Sequence, residues 1–328
     1  MDDKKIFDLI DIVIPYRNKL DMTENTTFGI EIEFLDKYLF DVSLAMFEYN
    51  LTNFEVTKDD SLSKEIENEY FCGEIVSPVL TNDFESFKKI EDVLDVIQKI
   101  GGKCGEETGA HVHFGHQILD DINSYKKFLL LWSAFEKIIM RFSYGKSSKP
   151  RGLLAKYSKP NANLYMSKMK KINEALDLVT LFNILKGCTK RKREIINFEN
   201  LKLDDILNGK SSYIGGKTNK STIEIRCANG TFDKVIWQNN INVFYHFLNY
   251  CNSPSFDYDI VNYILKNYDY NLDEIEESSK IYAEKAFLLA DLIFTDELDK
   301  LYFLKQYFKA YDKETLKEEL NIYRVKEV

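Results

Sequence analysis

Three short stretches of this sequence place apolar residues at alternate positions and ionisable side chains between them. Side chains on a strand alternate faces, so residues i and i+2 share one face. In Phe28-Gly29-Ile30-Glu31-Ile32-Glu33-Phe34, the apolar set Phe28, Ile30, Ile32 and Phe34 leaves Glu31 and Glu33 together on the other side. His111-Val112-His113-Phe114 puts two imidazoles on one face, and Thr222-Ile223-Glu224-Ile225-Arg226 does the same with a carboxylate and a guanidinium. The period of two assigns all three to strands with one apolar face.

The ordinary reading of such alternation is a half-buried antiparallel strand whose polar side is wet. The residue types point elsewhere. Exposed strand faces favour Thr, Lys, Ser and Gln, whereas glutamate is depleted in strands. Two carboxylates roughly 6.6 Å apart along one strand repel unless something positive lies between them. Magnesium, hard and oxygen-seeking, is the natural counter-ion. Glu74, in Cys72-Gly73-Glu74-Ile75-Val76-Ser77-Pro78, is the third candidate carboxylate, with Pro78 at a strand end. Its alternative reading is a single edge-strand glutamate.

Three of the 4 histidines fall at His111, His113 and His116. An imidazole beside a carboxylate-held metal completes its coordination or contacts a phosphate. His116 falls off the alternation and reads as a packing or surface residue. Arg226 carries a planar donor fork that fits phosphate oxygens.

The full set of predicted strands is Phe28–Leu35, Phe54–Thr57, Tyr70–Ser77, Ala110–Gln117 and Ser221–Cys227. Helical spacing covers Asp83–Ile100, with Asp83 as cap and Gly101-Gly102 as stop, and Ser124–Phe142. The stretch Ser143 to Asn173 carries Lys146, Lys149, Arg151, Lys156, Lys159, Lys168, Lys170 and Lys171 without an acid, and begins as a loop. A second basic cluster is Lys190-Arg191-Lys192-Arg193. Past Asp233 the spacing is helical throughout: Lys234–Tyr250, Tyr258–Asn267, Leu272–Phe294 and Glu297–Tyr311. Strands first and helices last predict an α+β fold with a helical C-terminal part.

A chain of 328 residues with 45% hydrophobic and 14% aromatic content can bury a full core, which excludes disorder. Its net charge of −9 excludes a nucleic-acid backbone as general partner. Cys72, Cys104, Cys188, Cys227 and Cys251 are scattered, with no C-x-x-C spacing, which fits free thiols in a reducing compartment. The apolar run after Met1-Asp2-Asp3-Lys4-Lys5 is broken by Asp8 and Asp11, unlike a signal peptide. The longest strongly apolar stretch, Phe128 to Phe135, is too short to cross a bilayer. The expected location is cytoplasmic.

Taken in order, these segments resemble the amidoligase family, a branch of the glutamine synthetase and glutamate–cysteine ligase superfamily. The matching elements are Phe28-Gly29-Ile30-Glu31-Ile32-Glu33, Lys58-Asp59-Asp60-Ser61-Leu62 and Gly73-Glu74-Ile75-Val76-Ser77-Pro78-Val79-Leu80. They continue in Gly109-Ala110-His111-Val112-His113-Phe114-Gly115, Thr222-Ile223-Glu224-Ile225-Arg226 and Gly230-Thr231. The resemblance implies a curved antiparallel sheet of glutamine-synthetase-like type with flanking helices, binding ATP and Mg²⁺. It implies a catalytic domain over 1–254 and a helical extension over 255–328, which has no signature of its own and serves substrate recognition or oligomer formation.

By the same resemblance Glu31, Glu33, Glu74, His113 and Glu224 ligate metal, while His111, His113, Arg226 and Lys156 face the nucleotide. Glu33, Glu74, Arg226 and Arg151 carry the catalytic roles. The implied reaction joins a small-molecule or peptide carboxylate to an amine through an acyl phosphate. Asp59 and Asp60 stand where the family often has glycine, and the insert with Lys64, Glu65, Glu67 and Glu69 is charged. Two alternatives remain open at this point. One is a cupin-like metal oxygenase or isomerase built on His111-x-His113, although Gln117 and Ile118 stand where its glutamate belongs. The other is a ligase fold without catalysis that acts as a binding module.

Overall fold

A computed structural model describes residues 3–5, 13–59, 61–62, 65–66, 69–119, 121–147, 149–152, 158–186, 194–207, 213–214, 217–218, 221–267, 280–308 and 324–326. The chain opens its main sheet with β1 (Thr27–Leu35), followed by helix α1 (Leu39–Glu48) and strands β2 (Glu55–Thr57), β3 (Cys72–Val76) and β4 (Leu80–Thr81). Helix α2 (Phe84–Lys99), strand β5 (Gly109–Gly115) and helices α3 (Ile122–Ser143), α4 (Ala162–Glu174) and α5 (Leu178–Lys186) come next. Strands β6 (Ile196–Asn197) and β7 (Thr222–Asn229) complete the sheet. The chain then continues as helices α6 (Lys234–Tyr250), α7 (Tyr258–Lys266), α8 (Lys280–Ile293) and α9 (Glu297–Phe308).

The seven strands run in the order β2-β3-β1-β5-β7-β6, with β4 alongside β1, and every pairing is antiparallel. The sheet is open, not closed into a barrel. That is the expected α+β class, and the lack of closure removes the barrel a cupin-like site needs. A separate ribbon pairs Asp3–Lys5 with Arg324–Lys326.

Alternation decides which side of the sheet meets the helices. Phe28, Ile30, Ile32 and Phe34 of β1 are buried, as are Ile75, Val112, Phe114, Ile223 and Ile225 on its neighbours. The Phe28 ring lies 5.8 Å from Phe87 on α2. On α3, Phe128 and Trp132 meet Phe247 of α6 at 6.1 and 5.7 Å. Each such fully buried side chain stabilises the fold by about 1.5–3 kcal/mol. The same core runs on into the C-terminal helices, where Phe303 of α9 packs 5.2 Å from Phe142. No helix among the described residues is long and apolar enough to cross a membrane.

Local chemistry fixes the helix starts. Asp83, Asp121, Asp233 and Asp257 each accept a hydrogen bond from a first-turn amide and cap α2, α3, α6 and α7. Gly101, at φ +89°, takes the left-handed turn that ends α2.

Several boundaries differ from the sequence expectation. The strand expected over Tyr70–Ser77 divides: Glu69–Tyr70 pairs with Glu65–Ile66, and only Cys72–Val76 joins the main sheet. Strand β5 stops at Gly115, and His116–Ile118 forms a 3-10 turn. The basic stretch turns helical at Ala162, for a tertiary reason. Glu136 on α3 is 2% exposed, and its Oε1 accepts from the amides of Asn161 (2.7 Å) and Ala162 (3.0 Å) as well as from Trp132 Nε1 (2.9 Å). A residue 25 positions away thus caps α4. Glu136→Ala is expected to cost roughly 2 kcal/mol by stranding these buried donors. The reading is a lower urea midpoint at unchanged slope. The expected helix Leu272–Phe294 is described from Lys280 on, and Glu297–Tyr311 as far as Phe308; Lys190–Arg193 lies outside the described residues.

Candidate active site

Strand register gathers the ionisable residues. Glu74 stands directly opposite Glu33 across β3 and β1, His111 opposite Glu31 across β5 and β1, and Glu224 opposite His113 across β7 and β5. Directly opposed side chains are about 5 Å apart at Cβ, so six groups from four strands share one patch. Register slips between Ile225 and Ala228, a bulge that sets Arg226 and Cys227 against the single residue His111. Bulges of this kind re-aim a side chain beside a site.

This polar face is not wet. Glu33 is 1% exposed, His111 1% and Glu224 2%, which rejects the solvated-face reading of the alternation. Glu31 bridges both imidazoles, with Oε2 2.9 Å from His111 Nδ1 and Oε1 3.0 Å from His113 Nε2. Glu33 Oε1 lies 3.2 Å from His111 Nε2. Glu224 Oε1 accepts from Arg226 Nη1 and stands 3.8 Å from His111 Nδ1 and 3.9 Å from His113 Nε2. Its Oε2 accepts from Asn197 Nδ2 at 2.7 Å.

Burial and neighbours split the charge states of these groups. Burial raises Glu31, but His113 and His111 outweigh it and hold the carboxyl well below the usual range. Glu224 is likewise lowered against its burial, by His113 and Arg226. His113 is raised despite burial, by Glu31 and Glu224. Glu74 goes the other way: burial, then the charges of Glu31, Asp59 and Glu33, push it up to about 9. Two carboxylates are held ionised while a third keeps its proton at neutral pH.

Arg151 arrives from the basic stretch yet is 5% exposed. Its Nη1 lies 3.6 Å from Glu33 Oε2, and its Nη2 donates to Ser158 Oγ at 2.7 Å and to the Arg226 carbonyl at 3.3 Å. The guanidinium lies against Gly109, where a Cβ would stand 1.6 Å from Nη1. The Gly109 amide itself donates to Glu33 Oε2 at 2.6 Å. Glycine is required here by the close approach, and Gly109→Ala is expected to cost about 1–3 kcal/mol by overpacking. A thermal melt reads the loss.

Glu31, His113 and Glu224 each offer one ligand atom, all within 4.8 Å of one another. Glu33 Oε1, His111 Nε2 and His113 Nε2 are buried and have carboxylate–imidazole contacts at 3.0–3.2 Å, none aligned as a hydrogen bond. Carboxylate and imidazole atoms that face each other in this way suit a shared cation. A family model described as "Putative amidoligase enzyme" matches residues 24–247, more than half of the 328-residue chain. The chain belongs to the amidoligase family. The matched span contains every strand of the sheet and every residue of the cluster. Amidoligase membership makes the chain a ligase-type enzyme. No curated protein matches it.

The structure brings Glu31, Glu33, Glu74, His111, His113, Glu224 and Arg226 together on the sheet, and Arg151 joins them from the basic stretch. Lys156 lies outside the described residues. His116 begins the turn after β5, its amide bonded to the Ser221 carbonyl at 3.0 Å. Asn197, Ser158 and the Gly109 amide belong to the site as well. Asn197 carried one signal, a lone polar residue in the apolar run Ile195-Ile196-Asn197-Phe198. Gly109 carried one through the matching element Gly109–Gly115, and Ser158 carried none.

Proposed function

We propose that this amidoligase joins a carboxylate to an amine with ATP, through an acyl phosphate, on a glutamine-synthetase-like sheet that holds Mg²⁺. The observation that carries the reading is the buried set of mutually facing carboxylate and imidazole atoms of Glu33, His111 and His113, none aligned as a hydrogen bond, beside Glu31 and Glu224. Taking this many ionised groups out of water is costly unless charge is balanced across the cluster.

Glu31, His113 and Glu224 would hold one ion, and Glu33 and Glu74, opposed across β1 and β3, supply the carboxylates of the adjoining position. When bound, Mg²⁺ neutralises phosphate charge and orients the transferring group. Arg226, whose Nε is buried without a partner, offers donors to phosphate oxygens. On this reading His111 and His113 would face the nucleotide, and Lys156 would contact it. Arg151 acts through Glu33, holding that carboxylate against the Gly109 amide.

In the first step a substrate carboxylate oxygen bonds to the γ-phosphorus of ATP as the bond to the β-phosphate oxygen breaks, leaving ADP. The amine nitrogen then bonds to the activated carbonyl carbon, the bond to phosphate breaks, and the amine loses a proton. The chain positions and screens charge in both steps and needs no covalent nucleophile. This agrees with burial, which pushes the Cys104 and Cys227 thiols up to about 12, far from nucleophilic thiolates.

ADP release measured against pools of amines and carboxylates, with Mg²⁺ present or chelated, tests the proposal. Turnover is expected only with ATP, metal, carboxylate and amine together. Calorimetry that finds no ATP binding in Mg²⁺ buffer would overturn it in favour of a non-catalytic binding module. Because imidazoles stand among the ligands, Mn²⁺ is expected to replace Mg²⁺ and to bind more tightly, read by titration calorimetry.

A further inference from the structure

Away from the catalytic patch, three distant segments converge on a second set of ligand atoms. Asp21 lies in the stretch leading into β1, His246 on α6 and Asp299 in the first turn of α9. One ligand atom of each falls within 4.8 Å of the other two. We propose that Asp21, His246 and Asp299 bind one divalent transition-metal ion of the Zn²⁺ class, which staples the lead-in of the central strand to the C-terminal helices.

Acidic residues near a histidine are common and prove nothing alone. The deciding observation is that His246 Nε2 and Asp299 Oδ2 are both buried, have no hydrogen-bond partner, and face each other at 3.8 Å. His246 is 7% exposed and Asp299 0%. That separation is too long for a hydrogen bond. Two ligands of one tetrahedral ion, each bonded at about 2.0–2.2 Å, stand about 3.4 Å apart, so a shift of a few tenths of an ångström closes the pair on a cation.

The surroundings leave those atoms available. Asp299 Oδ1 is taken by Asn242 Nδ2 at 2.8 Å and by Arg17 Nη1 at 2.7 Å, while Oδ2 is not. Asn242 sits one turn before His246 on α6, and the imidazole is wedged between Tyr245 and Phe294 at 5.1 and 5.0 Å. Outer contacts of this kind fix the orientation of metal ligands. Asp21 is exposed and gives the ion a way in. Two carboxylates against Arg17 leave one net negative charge to meet a dication. The imidazole sets the metal class: Mg²⁺ and Ca²⁺ prefer oxygen alone, and affinity for mixed nitrogen–oxygen sites runs Zn²⁺ above Mn²⁺ above Mg²⁺.

The test titrates the chelator-stripped full chain with ZnCl₂ against a chromophoric competitor, and follows the melting temperature in parallel. Wild type is expected to bind one more Zn²⁺ per chain than His246→Gln, and Glu31→Gln, altered only in the catalytic patch, is expected to keep that ion. Zn²⁺ should raise the melting temperature of wild type and not of His246→Gln. Should His246→Gln fail to fold, Asp21→Asn decides, since its side chain is exposed; Zn²⁺ affinity is expected to fall about tenfold or more. Unchanged stoichiometry and affinity in the folded variants overturn the site, as does Mg²⁺ binding there as tightly as Zn²⁺.

Discussion

Glu31→Gln is expected to lower ATP-dependent ligation by about 10²–10³-fold while the chain stays folded. Glu31 is the group that joins the two imidazoles, since its two oxygens meet His111 Nδ1 at 2.9 Å and His113 Nε2 at 3.0 Å. Glutamine keeps the volume, removes the charge, and turns an amide nitrogen toward one imidazole. A cation held by Glu31, His113 and Glu224 would lose one of its two anionic ligands. The variant also has a stability signature with a definite sign. The folded-state pKa of Glu31 is depressed, so its contribution is present above the ordinary glutamate value and lost as pH falls through the lowered one. Glu31→Gln should therefore melt below wild type at neutral pH, and the gap should close in acid. Rates of ADP release with Mg²⁺, beside melts from pH 3 to 8, check both parts. A folded variant that retains near-full turnover sinks the assignment.

The alternating stretches made Glu31, Glu33, His111, His113, Glu224 and Arg226 legible, because a period of two determines facing without any tertiary information. Register then did what no period states: it set Glu74 against Glu33 and Glu224 against His113. The depth of burial was not legible. Arg151 reaches the face from the basic stretch outside the sheet, and Asn197 reaches it from the two-residue strand β6, opposite Glu224. The arginine reads in sequence as part of a lysine-rich loop and proves to be an enclosed clamp against Gly109, since Ser158 and the Arg226 carbonyl pin its other nitrogen. The start of α4 was hidden for a similar reason, because its cap is Glu136 on another helix. Asp21, His246 and Asp299 share no local pattern at all; only the packing of α6 and α9 against the lead-in strand segment joins them.

The second large effect is a metal affinity that climbs with pH. Glu74 is pushed up to about 9, first by burial and then by Glu31, Asp59 and Glu33. At pH 7 it holds a proton that a metal ligand must give up, so binding releases it. Apparent Mg²⁺ affinity is expected to rise nearly tenfold from pH 7 to 8 and about 50-fold from pH 7 to 9, where the rise flattens. The metal-free protein should move the opposite way. A carboxyl whose folded-state value is raised contributes stability that is full below the ordinary glutamate value and lost as pH rises toward about 9. His113, also raised, adds loss of the same sign as pH passes its folded value. Glu74→Gln isolates the larger part: it should flatten the decline of the chelated protein between pH 6 and 9 and bind Mg²⁺ weakly at every pH. Calorimetry in buffers of different ionisation enthalpy counts the protons released, and the variant should release about one fewer than wild type. If affinity stays level across this range while Glu74→Gln binds like wild type, Glu74 is not a ligand. Its proton would then be only the consequence of a carboxyl crowded by Glu31, Asp59 and Glu33.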